Sequence, residues 1–212
     1  MNMRSQFSRS VASSFWRAFI SSILVISLTA VAQEDPTASK VIEDFQSELL
    51  GVMKQADELG YEGRYQRLAP TVKRSHSLPI LARVSVGRNW KKLDAQQKQT
   101  LIDTFGRLSV ATYAHQFDGY TGEAFEIVSE EDTSRGDKLV RTLLIKQDGQ
   151  QFQLDYVLRR NANRWMIINI VADGVSDLAL KRSEYSAIVR REGFDALIEK
   201  LNGKIENYSL QK

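Results

Sequence analysis

Between Ala124 and Ala172 the chain holds four strand-length runs joined by turns too short to carry a crossover. Consecutive strands joined that way must pair antiparallel. Ala124–Glu130 alternates around Phe125 and Ile127. Lys138–Lys146 and Gln151–Arg159 flank Gln147-Asp148-Gly149-Gln150, whose Asp-Gly pair marks a hairpin. Asn161-Ala162-Asn163 then turns the chain into Arg164–Ala172. In the third run Phe152, Leu154, Tyr156 and Leu158 share a face. The fourth is apolar on both faces: alternation sends Trp165 and Ile167 one way and Met166, Ile168 and Ile170 the other. Such a strand is covered on both sides, by packed segments or, on one side, by an apolar cavity.

Helical periodicity flanks this meander. Pro36 is placed to open a helix, and Val41, Ile42, Phe45, Leu49, Val52, Met53, Ala56 and Leu59 recur at helical steps until Gly60. Short helices are expected over Tyr61–Leu68 and Val72–Val84. Asp94 and Gln97 form a capping-box pattern for the strongest helix, Asp94–Phe117. Gly106 lies inside it, and a glycine there costs about 1 kcal/mol against alanine, which suggests close packing at that point. After the strands, Ser176 can cap Asp177–Arg191, with Leu178, Tyr185, Ile188 and Val189 inward and Gly193 as the stop. Asp195 caps Ala196–Leu201, Gly203 ends it, and a polar tail follows. The class is α+β, with helices gathered on one face of a four-stranded antiparallel meander.

The first 32 residues read as an export leader. Arg4, Arg9 and Arg17 precede a largely apolar run, Ala18–Leu28, and Ala30-Val31-Ala32 supplies the small-x-small cleavage pattern. That run is too short to span a bilayer, which takes roughly 20 apolar residues. The whole chain carries 29 basic and 26 acidic residues, and removing three arginines leaves 26 of each, a net charge of zero. Nucleic-acid binding then has no basic footprint to rest on. With no cysteine there is no disulfide, thiolate nucleophile or lipidated cysteine anchor. Residues 33–212 fit one monomeric domain exported to a bacterial periplasm.

Catalytic patterns are weak. His76 and His115 are the two histidines, far apart and without an i, i+4 partner, so no metal site is expected. Gly119-Tyr120-Thr121-Gly122 lacks the Lys-Ser/Thr of a phosphate loop, and no cofactor motif is present. Glu130-Glu131-Asp132 reads as a solvated turn. One enzyme reading stays open: cone-shaped α+β folds place Asp and Tyr in an apolar pocket, and Tyr113, Asp118, Asp155 and Tyr156 are its candidates.

Several segments resemble, in order, the MlaC-type periplasmic lipid-binding proteins, also called the toluene-tolerance family. They are Ala111-Thr112-Tyr113-Ala114-His115-Gln116-Phe117 running into Phe125-Glu126-Ile127, Leu154-Asp155-Tyr156-Val157-Leu158, Trp165-Met166-Ile167-Ile168-Asn169-Ile170 and Gly174-Val175-Ser176. The resemblance covers roughly Pro36 to Leu201. Asn169 stands where the family often has Asp, and Lys181 where an aromatic often precedes the helix arginine. Phe117-Asp118-Gly119-Tyr120 and Asp173–Leu180 look closer to the family's hopanoid-biosynthesis-associated branch. The resemblance implies a soluble carrier for phospholipid or hopanoid, touching membranes transiently and working between an inner-membrane lipid transporter and an outer-membrane lipid complex.

A carrier needs a dry pocket between helices and sheet. Phe105, Leu108, Tyr113 and Phe117 lie on one helical stripe, and Leu143, Phe152, Leu154 and Trp165 have the alternation of a sheet face turned toward it. These eight are the expected lipid-binding residues.

Overall fold

The computed structural model describes residues 36–210, so the expected leader lies outside the described residues. The chain order is α1 (Ala38–Met53), α2 (Ala56–Ser75), α3 (Leu78–Ser85), a 3-10 turn (Gly87–Lys92), α4 (Ala95–Gln116), β1 (Ala124–Asp132), β2 (Lys138–Ile145), β3 (Gln151–Asn161), β4 (Arg164–Ala172), β5 (Val175–Ser176), α5 (Asp177–Glu192) and α6 (Phe194–Leu210). The α+β class and the antiparallel meander stand, with a fifth strand: the order is β1-β2-β3-β4-β5. The added strand is short because its second residue, Ser176, already caps α5 by accepting from the Ala179 amide at 3.1 Å.

The first helix is not continuous to Gly60. α1 closes at Met53, and α2 bends at Gly60, whose φ of 57° and ψ of −176° interrupt the helical ladder. The expected short helices thereby shift, into α2 as far as Ser75 and α3 from Leu78. α4 keeps its capping box: Asp94 Oδ1 accepts from the Gln97 amide at 2.8 Å, and Gln97 Oε1 accepts from the Asp94 amide at 3.1 Å. Gly203 does not end the last helix. Ile205 and Tyr208 extend the stripe begun by Leu197 and Leu201, and Tyr208 stacks on His115 of α4 with ring centroids 4.6 Å apart.

Register decides which sheet face is inside. Val140 lies opposite Tyr156, and Thr142 opposite Leu154, so these four share the face buried against α1, α2 and α4. Leu143, opposite Gln153, is on the other face. In β4, Ile167 pairs with Leu158 while Asn169 pairs with Val157, leaving Ile168 as a bulge. The extra residue resets the alternation, so Ile167 and Ile170 both face the helices.

The apolar interior falls into two clusters. One joins Phe45 and Leu49 of α1 to Val72, Val110, Tyr156, Leu158 and Ile167. The other joins Leu81 of α3 to Leu101, Phe105 and Leu108 of α4, Leu178 and Tyr185 of α5, and Leu197 of α6. Leu78 packs against both.

Candidate functional site

The two clusters do not meet everywhere. Between them lies a cavity of about 240 Å³. Leu49, His76, Tyr156 and Ile167 form its inner end, all buried. Phe105, Leu108, Thr112 and Tyr113 of α4, with its C-cap Phe117, make one wall, and Leu154 and Ile170 of the sheet face them. Leu81 and Leu178 close a third side. Gln116, Ala172 and Asp177, all exposed, set the rim together with Lys181, which pairs with Asp177 one turn away.

Each wall follows from a local rule. Steps of three and four residues from Phe105 through Leu108 and Thr112 put one stripe of α4 over the sheet. The bulge at Ile168 supplies Ile170 to the cavity, which strict alternation would have turned away. Ser176 ends the sheet and starts α5, so Asp177, Leu178 and Lys181 arrive at the opening. His76 is carried by the link from α2 to α3, which bridges to β4 through the Ser77 amide donating to the Ile167 carbonyl at 2.9 Å.

Of the eight expected residues, the structure brings five to the cavity: Phe105, Leu108, Tyr113, Phe117 and Leu154. It does not bring the other three. Leu143 is on the far face of the sheet. Phe152 shares a face with Leu154 but sits toward the hairpin end, where Lys146 Nζ lies 4.9 Å from its ring centroid. Trp165 lies past Ile167 at a separate cleft with Val41, Phe45 and Arg74.

The inner end is polar but uncharged. His76 Nε2 is 2.9 Å from the Tyr113 hydroxyl and its Nδ1 is 2.8 Å from Ser75 Oγ. Burial pushes the imidazole down to about 4, so the ring is neutral near pH 7. Burial likewise pushes the Tyr156 phenol up to about 12 and raises that of Tyr113 well above its ordinary value. Periodicity held no signal for His76: a lone histidine in a broken region has no pattern to read. Gln46, which reaches Thr142 Oγ1 at 2.9 Å and Tyr156 Oη at 3.4 Å, was hidden by its place on the apolar face of α1.

The two aspartates named for an isomerase-type pocket, Asp118 and Asp155, do not line the cavity. Asp155 lies on the outer sheet face, accepting from Gln153 Nε2 at 2.9 Å with Arg141 at 3.8 Å. Asp118 lies in the exposed turn after α4. A largely hydrocarbon room with neutral hydroxyls inside and charges at the rim is suited to holding an apolar molecule.

The MlaC protein family model matches residues 43–203. The intermembrane phospholipid transport system binding protein MlaC of Haemophilus influenzae is 24% identical over 198 residues, covering 86% of this chain and 88% of that protein. A phospholipid-binding protein from Ralstonia solanacearum, solved in complex with a phospholipid, superposes with a TM-score of 0.72 at 17% identity. That match covers 82% of this chain and 99% of the other, and it shows a shared fold. With the family model spanning most of its length, this chain belongs to the MlaC family.

Proposed function

We propose that this protein is a periplasmic lipid carrier that holds the hydrocarbon of a phospholipid or hopanoid-type lipid in the cavity between α4, α5 and the sheet. The observation that carries the reading is the cavity itself, walled by Phe105, Leu108, Phe117, Leu154 and Ile170 with its charges confined to the rim. Exposing a 16-carbon chain costs about 0.8 kcal/mol per methylene, on the order of 12 kcal/mol, so free diffusion between membranes is negligible. A monomer with an export leader that collects lipid from one membrane complex and delivers it to another removes that cost. The two relatives named for phospholipid support the ligand class. As it stands the cavity is smaller than the roughly 300–1,000 Å³ of ordinary ligand pockets. A two-chain lipid therefore has to push the clusters apart.

The test is organic extraction and mass spectrometry of protein exported by a bacterium and purified without detergent. Near-stoichiometric phospholipid or hopanoid is expected. Protein that is empty, and that takes up neither lipid from vesicles, overturns the reading.

A further inference from the structure

Hydrogen-bond directions inside the cavity follow donor by donor. Ser75 Oγ has one proton and donates it to the Thr71 carbonyl at 2.8 Å. Its contact with His76 Nδ1 is therefore a bond that Nδ1–H donates. Nε2 is left with a lone pair, so the Tyr113 hydroxyl donates to it. Tyr113 Oη then has lone pairs to offer but no proton. The same reasoning starts again from Thr142, whose hydroxyl donates to the Leu154 carbonyl at 2.8 Å. Thr142 Oγ1 must accept from Gln46 Nε2, which sets the amide orientation, and the second amide hydrogen reaches Tyr156 Oη. Tyr156 accepts there, and among the described residues nothing accepts its own O–H proton.

Of the two tyrosines lining the cavity, Tyr156 thus has an unspent donor and Tyr113 an unspent acceptor, and both pack against Phe45. A donor held away from water without a partner is unfavourable. Hydrocarbon cannot satisfy it. We propose that Tyr156 and Tyr113 form a hydrogen-bonding subsite for an oxygen group set in the apolar part of the bound lipid. Tyr156 donates to that oxygen, and Tyr113 accepts from it where the oxygen carries a proton. An ester carbonyl at the glycerol junction and a hydroxyl on the hydrocarbon chain share this chemistry. The inference rests on the carrier reading and adds a specificity element to it.

The experiment titrates delipidated wild type and Tyr156→Phe with two matched pairs of probes. One pair is a diester phosphatidylglycerol and its diether analogue with the same chains. The other is a hydroxylated 16-carbon fatty acid and the unsubstituted acid. Tyr156→Phe leaves the Gln46–Thr142 and Tyr113–His76 bonds in place, and the melting point of the lipid-free variant checks its fold. Wild type is expected to prefer the oxygenated member of one pair by about five- to tenfold, the scale of one buried hydrogen bond. The variant should bring that preference to within about twofold. Preference in the first pair assigns the oxygen to the glycerol ester, and preference in the second assigns it to the chain. No preference in either pair, or the same preference in both proteins, overturns the subsite. So does a variant that binds all four probes more tightly by one factor, since that means the hydroxyl holds only trapped water. Failure of wild type to bind any probe removes the carrier reading and the subsite together, whereas binding without discrimination removes the subsite alone.

Discussion

Gly106 of α4 lies directly against Leu78 at the start of α3, so that a β-carbon placed on it would stand 3.0 Å from Leu78 Cδ1. The neighbouring atom is the far end of a flexible side chain. Gly106→Ala is therefore expected to change stability by less than about 1 kcal/mol, because the helix-propensity gain offsets the small displacement of Leu78. Gly106→Val brings a branched side chain into the same space and should cost about 2–3 kcal/mol. Urea unfolding of both variants checks the contrast, and an equally stable valine variant would show that α3 does not press on α4.

His76 gives the protein a pH response with a definite sign. Its folded pKa, about 4, lies below the ordinary value of 6.5, so between those limits the unfolded chain binds the extra proton. Stability then rises with pH across that window. Going from pH 6.5 to pH 5 should cost about 1.5 kcal/mol through this group. His76→Asn should flatten the slope of melting temperature against pH over that interval. The lowered carboxyls of Glu123 and Glu130 contribute mainly at more acidic pH, where they take up protons. An unchanged slope in the variant would assign the response to other groups.

Leu154 and Leu108 face the cavity, and Leu68 is fully buried among side chains away from it. In lipid-free protein Leu68→Ala should cost about 3–5 kcal/mol, the range of a solid core. Leu154→Ala should cost about 1–2 kcal/mol, since part of its surface already lacks a partner, with Leu108→Ala between the two. Lipid retained through purification should fall for Leu154→Ala and stay unchanged for Leu68→Ala. Equal losses of stability at all three positions, with lipid content unaffected, would make the cavity wall ordinary core.

Arg64 is buried and spans the bend in α2. Its Nε donates to the Ala114 carbonyl at 2.8 Å and its Nη1 to the Ala56 carbonyl at 3.0 Å. Ala114 is in the last turn of α4, where carbonyls have no partner within the helix. Arg64→Met keeps the apolar stem, strands the Ala114 carbonyl and removes the second bond to Ala56, at an expected cost of about 2–4 kcal/mol. Chemical denaturation measures it, and Arg64→Lys should recover less than half, because an ammonium lacks the fork that reaches both carbonyls.

What could be read from the residues follows from how local each cause is. The capping box at Asp94 and Gln97, the Ser176 cap and the Gly193 stop depend on neighbours in sequence, and all three stand. The stripe Phe105, Leu108, Tyr113 and Phe117 was legible for the same reason. The face of β2 was not. Leu139, Leu143 and Ile145 outnumber the apolar residues of the set Val140, Thr142 and Leu144, though Arg141 shares their face. The core takes the set containing threonine because Gln46 and the Leu154 carbonyl, distant in sequence, satisfy its hydroxyl. The bulge at Ile168 is likewise a matter of register between β3 and β4, and periodicity within one strand cannot show it. Gly203 reads as a stop until Tyr208 finds His115, a contact that spans most of the second half of the chain.

The cavity belongs to neither apolar cluster; it is a seam, with Leu49, Tyr156 and Ile167 on one bank and Leu81, Phe105, Leu108 and Leu178 on the other. Densely packed interiors resist being opened from within, since every displaced side chain forfeits its neighbours. Along a seam, where side chains lack neighbours on one side, a displacement forfeits fewer contacts. In the proposed carrier, guest molecules of different girth are accommodated by the width of that gap.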